Sequence, residues 1–443
     1  MTVVRLPTLH ADQVRCFHGR SRRYAVRCGR RWGKTVFDET WLADGAVKGA
    51  PCGWFAPDYK KLSEAYNDLH NILEPIKTNS SKTEGVIRTA TGGRIDFWTL
   101  EDENAGRSRH YKRIVIDEGA FTKPNMLDIW ERSIEPTLLD FSGAALVTSN
   151  TNGNDPTNFL YAIYPQPGET ISRYGFTGFH APSRNNPLLP FRKPDEDEVA
   201  YQLRRAAAFD KIKAEKPPLV YSQEYEAEFV DWSGVSFFAK DKLLVGGEPV
   251  ETPSVVDTVI AVIDCASKTE KENDGTAVIY LGLSQFSGHP CVILDWDLQQ
   301  IEGAMLEVWL PTVFQNLEAL ARRCNARMGS TGAFIEDKDS GVVLLQKAAN
   351  NGWPAHAIPS KLTAVGKDAR AISISGHHYQ GKIKICREAY DKVTTFKGTT
   401  RNHLLAQIVN FRVGDKDAAR RADDCLDVYT YGVALTLGND EGF

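Results

Sequence analysis

The chain contains 443 residues, of which 42% are hydrophobic and 25% charged, and its formal net charge at pH 7 is −4. This length exceeds one ordinary hydrophobic core, so we expect two or three domains with the composition of soluble globular proteins. The eight cysteines are widely scattered without a C-x-x-C pair, which argues against a disulfide framework or a zinc cluster and fits a reducing cytosol. The sequence shows neither a signal-peptide pattern nor an apolar stretch of about 18 residues, which argues against secretion and a membrane span.

From residue 24 to about 150, short β-rich runs alternate with helical stretches. The runs are YAVRC, CGWFAP, RIDFWTL, RIVIDE and GAALVTS, and helices are predicted at 34–48 and 58–74. Alternation of this kind indicates an α/β domain with parallel strands and crossover helices on both faces of the sheet.

The remaining sequence predicts a bridging region and a second β-rich domain. Between about 165 and 255 the chain is polar and proline-rich, with one helix predicted at 195–214. A second set of strands then begins with TVIAVID, TAVIYLGL and CVILDWDL, followed by a helix at 303–326, the strand GAFIED and a final helix from about 421. We therefore predict domain limits of 1–245 (with the bridging region at about 165–245), 246–256 for a linker and 257–443.

The stretch VRCGRRWGKT (26–35) indicates a phosphate-binding loop with one departure from the usual pattern. Lys34 can reach the β- and γ-phosphates, Thr35 can bind Mg²⁺, and backbone N–H groups from Gly29 to Lys34 can surround an anion at a helix N-terminus. Cys28 stands where the first glycine is usual, which costs little if backbone amides hold the phosphate. Taken alone, the loop is as consistent with a glycine-rich turn.

The strand pattern RIVIDEGAF (113–121) makes the nucleotide interpretation firmer, because it ends in Asp117 and Glu118. In an ATPase the first acid organises Mg²⁺ and the second polarises the attacking water. A strand running into an acidic turn is common by itself, but it is less expected downstream of a glycine loop in the same α/β pattern.

Two further segments are candidates for the same site. Gln13, just before the first strand, is placed to contact an adenine edge, although an ordinary surface residue explains it nearly as well. The strand GAALVTS continues into Ser149, Asn150 and Thr151. Polar residues at the carboxyl end of a parallel strand are suited to sensing a γ-phosphate, although they are also ordinary wherever a strand meets a loop.

Acidic residues follow two strands and open one helix of the second domain. Asp423 and Asp427 are four residues apart and share a helix face. Hard divalent ions such as Mg²⁺ and Mn²⁺ take oxygen ligands and, in pairs, oppose the charge on a phosphodiester. Each acid has a mild alternative explanation, but together they predict a two-metal nuclease centre. The set is Asp264, Glu336, Asp337, Asp423, Asp424 and Asp427.

These motifs in this order resemble the large terminase subunit of tailed bacteriophages over nearly the whole chain. The matching segments are GRRWGKT, VIDEGA, Ser149-Asn150-Thr151, YSQEYEAEF (221–229), AVID, IEDKDSG, GKDARA (366–371) and ADDCLD. The family's phosphate loop often lacks the first glycine and carries basic residues, as here with Cys28, Arg30 and Arg31.

The resemblance implies a P-loop ATPase domain (RecA/ASCE-like) and an RNase H-like nuclease domain that together package DNA into a procapsid and cut concatemers. It implies ATP with Mg²⁺ as the motor's substrate and two Mg²⁺ or Mn²⁺ ions in the nuclease. In the ATPase domain, the resemblance implies phosphate and metal binding by the loop from Gly29 through Gly33 to Lys34 and Thr35, together with Asp117. It implies catalysis by Glu118 and coupling by the segment from Ser149 to Thr151. In the nuclease domain, it implies metal binding by Asp264, Glu336 (or Asp337) and Asp424, with Asp423 close by.

The resemblance also implies partners: double-stranded DNA, a portal protein on the procapsid, a small terminase subunit, and copies of this chain in a ring on the portal, with a monomer in solution left open. The implied location is the cytoplasm of the infected bacterium, away from membranes. Lys361, Lys367 and Arg370 are candidates for contacts to the DNA backbone, with solvated cations as the alternative.

Two other functions compete with this interpretation. A helicase-like DNA repair ATPase and nuclease also couples ATP to DNA movement, but it usually needs a second ATPase-like domain, which this sequence does not show. A nucleotide-gated DNA-binding or scaffold protein would not need all the acidic residues together with Lys34 and Thr35.

Overall fold

The computed structural model describes residues 3–232, 237–265, 275–285, 288–301, 303–338, 340–414 and 422–438. The chain divides into two compact units. The N-terminal unit comprises Met1–Lys213 with Pro218–Asp231, and the C-terminal unit comprises Ala214–Pro217 with Trp232–Phe443. None of the helices in the described ranges combines the length and the apolar character that crossing a bilayer requires.

The described part of the N-terminal unit is built on one mixed sheet with surrounding helices. Its strands are β1 (Arg23–Cys28), β2 (Pro51–Ala56), β3 (Lys77–Ser81), β4 (Val86–Thr89), β5 (Arg94–Thr99), β6 (Arg113–Asp117), β7 (Ala144–Ser149) and β8 (Thr177–Ala181). Its helices are α1 (Ala11–Phe17), α2 (Lys34–Val47), α3 (Tyr59–Leu73), α4 (Met126–Ile129), α5 (Phe159–Ile163), α6 (Glu198–Glu215) and α7 (Pro218–Glu224).

The strands lie in the order β3-β4-β5-β2-β6-β7-β1-β8. The neighbouring strands in the part of the sheet ordered β5-β2-β6-β7-β1-β8 are all parallel, as the alternation of strands and helices predicted. The pairs β3-β4 and β4-β5 are antiparallel. The sequence did not predict β3 and β4, because KTNSS is polar and VIRT is short. It also missed β8, which falls in the proline-rich region and forms an edge of the sheet.

The central strands β2, β6 and β7 are buried on both faces of the sheet, which is why they are mostly apolar. Successive side chains of a strand point to opposite faces. Accordingly, Val26 of β1 belongs to a core cluster with helices α2 and α3, whereas Ala25 belongs to a second cluster with helices α4 and α5. This packing fixes the carboxyl ends of β1, β6 and β7 side by side, where Asp117 is in register with Thr148.

The C-terminal unit has a second sheet, a hairpin and its own helices. Its strands in the described residues are β9 (Thr258–Asp264), β10 (Thr276–Leu283), β11 (Cys291–Gln299), β12 (Ser330–Ile335), β13 (Ala355–Ala357), β14 (Ile383–Ile385), β15 (Thr394–Phe396) and β16 (Thr399–Arg401). Its helices are α8 (Gly303–Arg323), α9 (Ser340–Asn350), α10 (Ser360–Thr363), α11 (Lys367–Tyr379), α12 (Arg387–Asp391), α13 (His403–Asn410) and α14 (Asp424–Leu437).

This sheet has the order β13-β12-β9-β10-β11-β14, and β15 pairs with β16. β9 is antiparallel to β10 and parallel to β12, so the carboxyl ends of β9 and β12 meet at one edge. Helix α14 packs on β9 and β10; a Cβ at Gly432 would lie 2.7 Å from Leu281 Cδ1, so glycine permits the close approach. The predicted start of this last helix, at about 421, lies outside the described residues.

Candidate functional site

The loop between β1 and α2 makes the turn that the phosphate-binding pattern predicted. Gly33 has a φ of 98° and caps α2, and a Cβ there would lie 2.7 Å from Gln13 Nε2. Cys28 is fully buried in the core shared with α2 and α3. Burial raises the pKa of its thiol well above the ordinary value. The residue at the usual glycine position is therefore a core residue, and Gly33 makes the turn.

Part of the loop's backbone is already hydrogen-bonded within the protein. The N–H of Gly29 donates to Ala181 O at 2.8 Å, that of Arg30 to Glu224 O at 2.7 Å, and that of Trp32 to Gly29 O at 3.2 Å. An anion at this loop would therefore be held by fewer amides than the full set from Gly29 to Lys34 that the sequence suggested. Arg30 also forms an ion pair with Glu224, with Nε and Oε2 2.5 Å apart.

Lys34 brings the loop and the acidic strand end together. Its Nζ lies 2.6 Å from Asp117 Oδ1 and 2.9 Å from Glu118 Oε1. Burial by itself would lower the pKa of Lys34, but the two carboxylates outweigh it and hold the pKa well above its ordinary value. Burial also opposes ionisation of Glu118, yet Lys34 and the other polar partners lower its pKa. Lys34 and Glu118 are therefore charged and paired, and Lys34 also contacts Asp117.

The coupling segment is in contact with this cluster. Ser149 Oγ donates to Glu118 Oε2 at 3.1 Å, and Glu118 itself has a φ of 54°, in the left-handed region. Thr151 is fully buried, and its hydroxyl lies 2.8 Å from Glu228 O and 3.1 Å from Gln223 O. Asn150 between them is half-buried. Ser149 is thus the member of this segment that touches the acidic pair.

The other predicted loop residues differ in what they offer to a nucleotide. Thr35 and Arg31 are exposed. Gln13 is buried, and its amide is engaged at both ends: Nε2 donates to Gly33 O at 2.9 Å, and Oε1 accepts from His10 N at 3.0 Å. This arrangement makes Gln13 a support of the loop, and with 3% of its surface exposed it presents almost no surface to an adenine edge.

In the C-terminal unit, two predicted acids lie at adjacent strand ends. Asp264 ends β9, and Glu336 follows β12, where Ile263 and Ile335 are in register. Glu336 is half-buried and accepts hydrogen bonds from Lys338 Nζ at 2.6 Å and Tyr431 Oη at 3.3 Å. Its neighbour Asp337 is exposed. Of these two neighbouring acids, Glu336 is therefore the one that shares the interior edge with Asp264.

The first turn of α14 supplies the remaining acids. Asp424 Oδ1 accepts from the Gly275 N–H at 3.1 Å, whereas its buried Oδ2 has no hydrogen-bond partner among the described residues. Asp423 and Asp427 share a face, as their spacing predicted, because Lys367 forms ion pairs with both. Arg370 forms a second ion pair with Asp427.

These acids influence one another electrostatically. Burial, and then the charges of Asp427, Asp424 and Glu336, raise the pKa of Asp264 well above its ordinary value. Burial and the neighbouring aspartates raise the pKa of Asp424 to about 7. Carboxyl groups shifted in this direction lack sufficient positive charge nearby.

The donor set suits a hard divalent cation, which prefers carboxylate oxygens. Asp424 Oδ2 has no hydrogen-bond partner among the described residues, and the pKa of Asp264 is raised. Both observations indicate that a cation bound between these two carboxyl groups would be stabilised. Within the described ranges, however, no three His, Cys, Asp or Glu side chains are grouped closely enough to hold a metal ion. The residue types suit a metal ion, but their side chains would have to move closer together to bind it.

The three candidates for contacts to DNA have different environments. Lys361 is exposed and Lys367 is half-buried against its aspartates. Arg370 is 4% exposed; its Nε donates to Thr430 Oγ1 at 2.9 Å, and its guanidinium lies 3.9 Å from the centre of the Tyr431 ring. Arg370 therefore holds Asp427 from the interior, and its burial does not fit the expected contact with DNA phosphates.

Sequence reasoning missed several residues that complete these sites. Glu224 and Gln223 lie in YSQEYEAEF, which had been noted only as a matching motif, and Tyr431 lies in the apolar run after the acidic cluster. Asp38 lies on α2, the helix that follows the loop, and is fully buried. Its position four residues after Lys34 is the one signal that could have placed it near the site.

No protein-family model and no curated protein matches the chain. Among solved structures, the large terminase of a thermophilic bacteriophage superimposes with a TM-score of 0.63 at 12% identity, covering 97% of this chain and 100% of that one. The same thermophilic phage protein in complex with ADP gives a TM-score of 0.61 at 12% identity, again covering 97% and 100%.

The similarity covers 97% of this chain and therefore includes both units. The predicted α/β fold class, with a parallel-rich sheet in the N-terminal domain, is confirmed. This chain has the fold of the bacteriophage large terminases.

Proposed function

We propose that this protein is a viral DNA-packaging motor that uses ATP hydrolysis to move double-stranded DNA into a procapsid and cuts concatemeric DNA with a metal-dependent nuclease. The observation that carries the proposal is the meeting of Lys34, Asp117, Glu118 and Ser149 at one sheet edge, in a chain with the large-terminase fold. The ADP complex of the thermophilic phage protein supports nucleotide binding by this architecture.

In the N-terminal unit, Lys34 would exchange its carboxylate partners for the phosphates of bound ATP. Thr35 and Asp117 are the residues proposed to hold magnesium, which supplies positive charge at the phosphate oxygens when bound. Glu118 would then accept a hydrogen bond from the attacking water and orient it. Ser149 already donates to Glu118, so it would report the state of the site to the coupling segment.

In the C-terminal unit, Asp264, Glu336 and Asp424 are proposed to hold divalent metal, which would offset phosphodiester charge and lower the pKa of a bound water. Glu336 is favoured over Asp337 because Asp337 is exposed. Asp423 stays close by, but it shares Lys367 with Asp427 as an ion-pair partner. Two metal ions, magnesium or manganese, are the proposed complement.

The wider assignment follows the same architecture. We place the ATPase domain with its bridging region at 1–245, the linker at 246–256 and the nuclease at 257–443. The proposed partners are double-stranded DNA, a portal on the procapsid, a small terminase subunit and further copies of this chain in a ring. The proposed place of action is the cytoplasm of an infected bacterium.

The ATPase half is tested by phosphate release from the full chain with and without double-stranded DNA. We expect hydrolysis that falls about a hundredfold or more in Glu118→Gln, with binding of a fluorescent ATP analogue retained. A Lys34→Ala variant should lose binding as well. Equal turnover by all three proteins would rule out this site as the source of hydrolysis.

The nuclease half is tested with supercoiled plasmid, Mn²⁺ or Mg²⁺, and the full chain beside its Asp264→Asn variant. Nicking and linearisation should require metal and be absent from the variant. Asp337→Asn is the matched control, since an exposed neighbouring acid is expected to be dispensable. Cleavage that survives in Asp264→Asn would remove the carboxylate cluster from the proposal. Stimulation of ATP turnover by procapsids would separate a packaging motor from a helicase-like repair enzyme.

A further inference from the structure

Asp38 connects the phosphate-loop helix to the strand that carries the coupling segment. It lies four residues after Lys34, on the same face of α2. Its Oδ2 accepts a hydrogen bond from Thr148 Oγ1 at 2.5 Å, and both residues are fully buried. Thr148 is in register with Asp117 on one side and with Val26 on the other. The bond therefore joins α2 to β7 directly beneath the acidic pair.

Burial makes this connection hard to replace. Water does not reach either group, and the second carboxyl oxygen of Asp38, Oδ1, has no hydrogen-bond partner among the described residues. Separating the two side chains would leave the Thr148 hydroxyl unsatisfied as well, and an unpaired buried polar group is costly. Helix α2 and strand β7 are therefore expected to move together.

The connection matters most when Lys34 changes partners. In this structure Glu118 is held by Lys34 Nζ at 2.9 Å and by Ser149 Oγ at 3.1 Å, with its backbone in the left-handed region at a φ of 54°. Once a phosphate attracts Lys34, Ser149 supplies the side-chain hydrogen bond to Glu118 that remains among the described residues. Ser149 directly follows Thr148, so its position depends on the bond to Asp38.

We infer that Asp38 is a positioning residue for ATP hydrolysis: through Thr148 it keeps Ser149, and hence Glu118, in place after Lys34 has turned to the phosphate. This inference rests on the proposed ATPase function. It assigns to Asp38 no contact with nucleotide. Its loss should therefore lower kcat while leaving the KM for ATP nearly unchanged.

The test uses matched pairs of variants in the full chain. Asp38→Asn keeps an oxygen acceptor and Asp38→Leu removes it; Thr148→Ser keeps the hydroxyl and Thr148→Val removes it with little change in shape. We expect Asp38→Leu and Thr148→Val each to lose about tenfold in kcat, about 1.4 kcal/mol of barrier, with KM within about twofold. Asp38→Asn and Thr148→Ser should stay near wild type. The double variant that combines Asp38→Leu with Thr148→Val should be no slower than either single variant, because both remove one bond.

Two results would overturn the inference: wild-type kcat in folded Thr148→Val, or losses that multiply in the double variant. An activity-independent readout is hydrogen exchange at Ser149 to Thr151 with a non-hydrolysable ATP analogue, which should accelerate in Thr148→Val only when the analogue is bound. A wild-type chain that binds the analogue without hydrolysing ATP would refute the ATPase proposal, and the exchange result would still decide whether Asp38 supports this segment. A chain that binds no nucleotide overturns both.

Discussion

Replacing His378 with glutamine is expected to remove a pH-dependent part of the stability of the C-terminal unit. His378 is 3% exposed, and its ring nitrogens lie 2.7 Å from Tyr429 Oη and 2.9 Å from Ala239 O. The Phe238 ring packs against it at a centroid distance of 4.9 Å. Burial, the main cause, lowers the pKa of His378 from 6.5 to about 4.

The sign and the size follow from proton linkage. Well above pH 6.5 the ring is neutral in both the folded and the unfolded chain, so its full contribution to stability is present. As the pH falls, the unfolded chain binds a proton that the folded chain refuses, and the free energy of unfolding decreases. The decrease is about 2 kcal/mol at pH 5 and approaches about 3 kcal/mol below the folded pKa.

Native-state hydrogen exchange is the suitable assay, because the two units need not unfold together. Peptides spanning α11 and α14 report the opening of the unit that contains His378, after correction for the pH dependence of intrinsic exchange. Between pH 7.5 and 5, the wild type should lose about 2 kcal/mol more than His378→Gln. Parallel losses in the two proteins would refute the reasoning, since the remaining titrating groups are common to both.

Three further substitutions follow from packing and charge. Gly33→Ala should lower the stability of the loop by about 1 kcal/mol or more, because alanine disfavours a φ of 98° and its Cβ would meet Gln13. The variant should therefore bind a fluorescent ATP analogue more weakly, and an unchanged affinity would contradict this. Asp424→Asn should raise the melting temperature in EDTA, since it removes a buried carboxylate with an unpartnered oxygen, while abolishing metal-dependent cleavage; a lower melting temperature would count against it. Gly432→Ala should cost about 1–3 kcal/mol in denaturant unfolding by pushing α14 from Leu281, and a neutral result would show that the helix can shift.

The parallel strands of the N-terminal unit could be predicted because buried parallel strands are continuously apolar. RIVID and AALVTS have this pattern, and they end in the acids and the serine that the site uses. Strand β8 could not be found in this way, because its residues TGFHA carry only one large apolar side chain. It is a strand because β1 offers it a free edge, which is a tertiary effect.

The residue types of the candidate sites could be predicted from the sequence, but their hydrogen-bond and ion-pair partners could not. A sequence shows that Lys34 and Asp117 suit a nucleotide site, yet it does not show that Gln13 uses its amide to hold Gly33. Likewise, Arg370 looks like a free cation in GKDARA, whereas the fold turns it toward Asp427. Both outcomes depend on which side chains become buried together, and that is decided by contacts between distant segments.

The charges of the two sites predict different responses to metal alone. In the N-terminal unit, Lys34 already pairs with Asp117 and Glu118, so a divalent ion without nucleotide would have to compete with its ammonium group. In the C-terminal unit, the cations pair with Asp427, Asp423 and Glu336. Burial and neighbouring carboxyl groups raise the pKa of both Asp264 and Asp424, and neither forms an ion pair among the described residues.

Manganese alone should therefore slow hydrogen exchange in peptides that contain the end of β9 and the start of α14, and leave those of β6 and α2 nearly unchanged. Adding an ATP analogue with the metal should extend the protection to β6 and α2, because the phosphates give Lys34 a new partner. Stabilisation follows the affinity of the folded state for its ligand, so the two sites are read separately in one experiment. Equal protection of both units by the metal alone would mean that Lys34 yields to it, and the assignment of Lys34 as the resident counter-charge would be wrong.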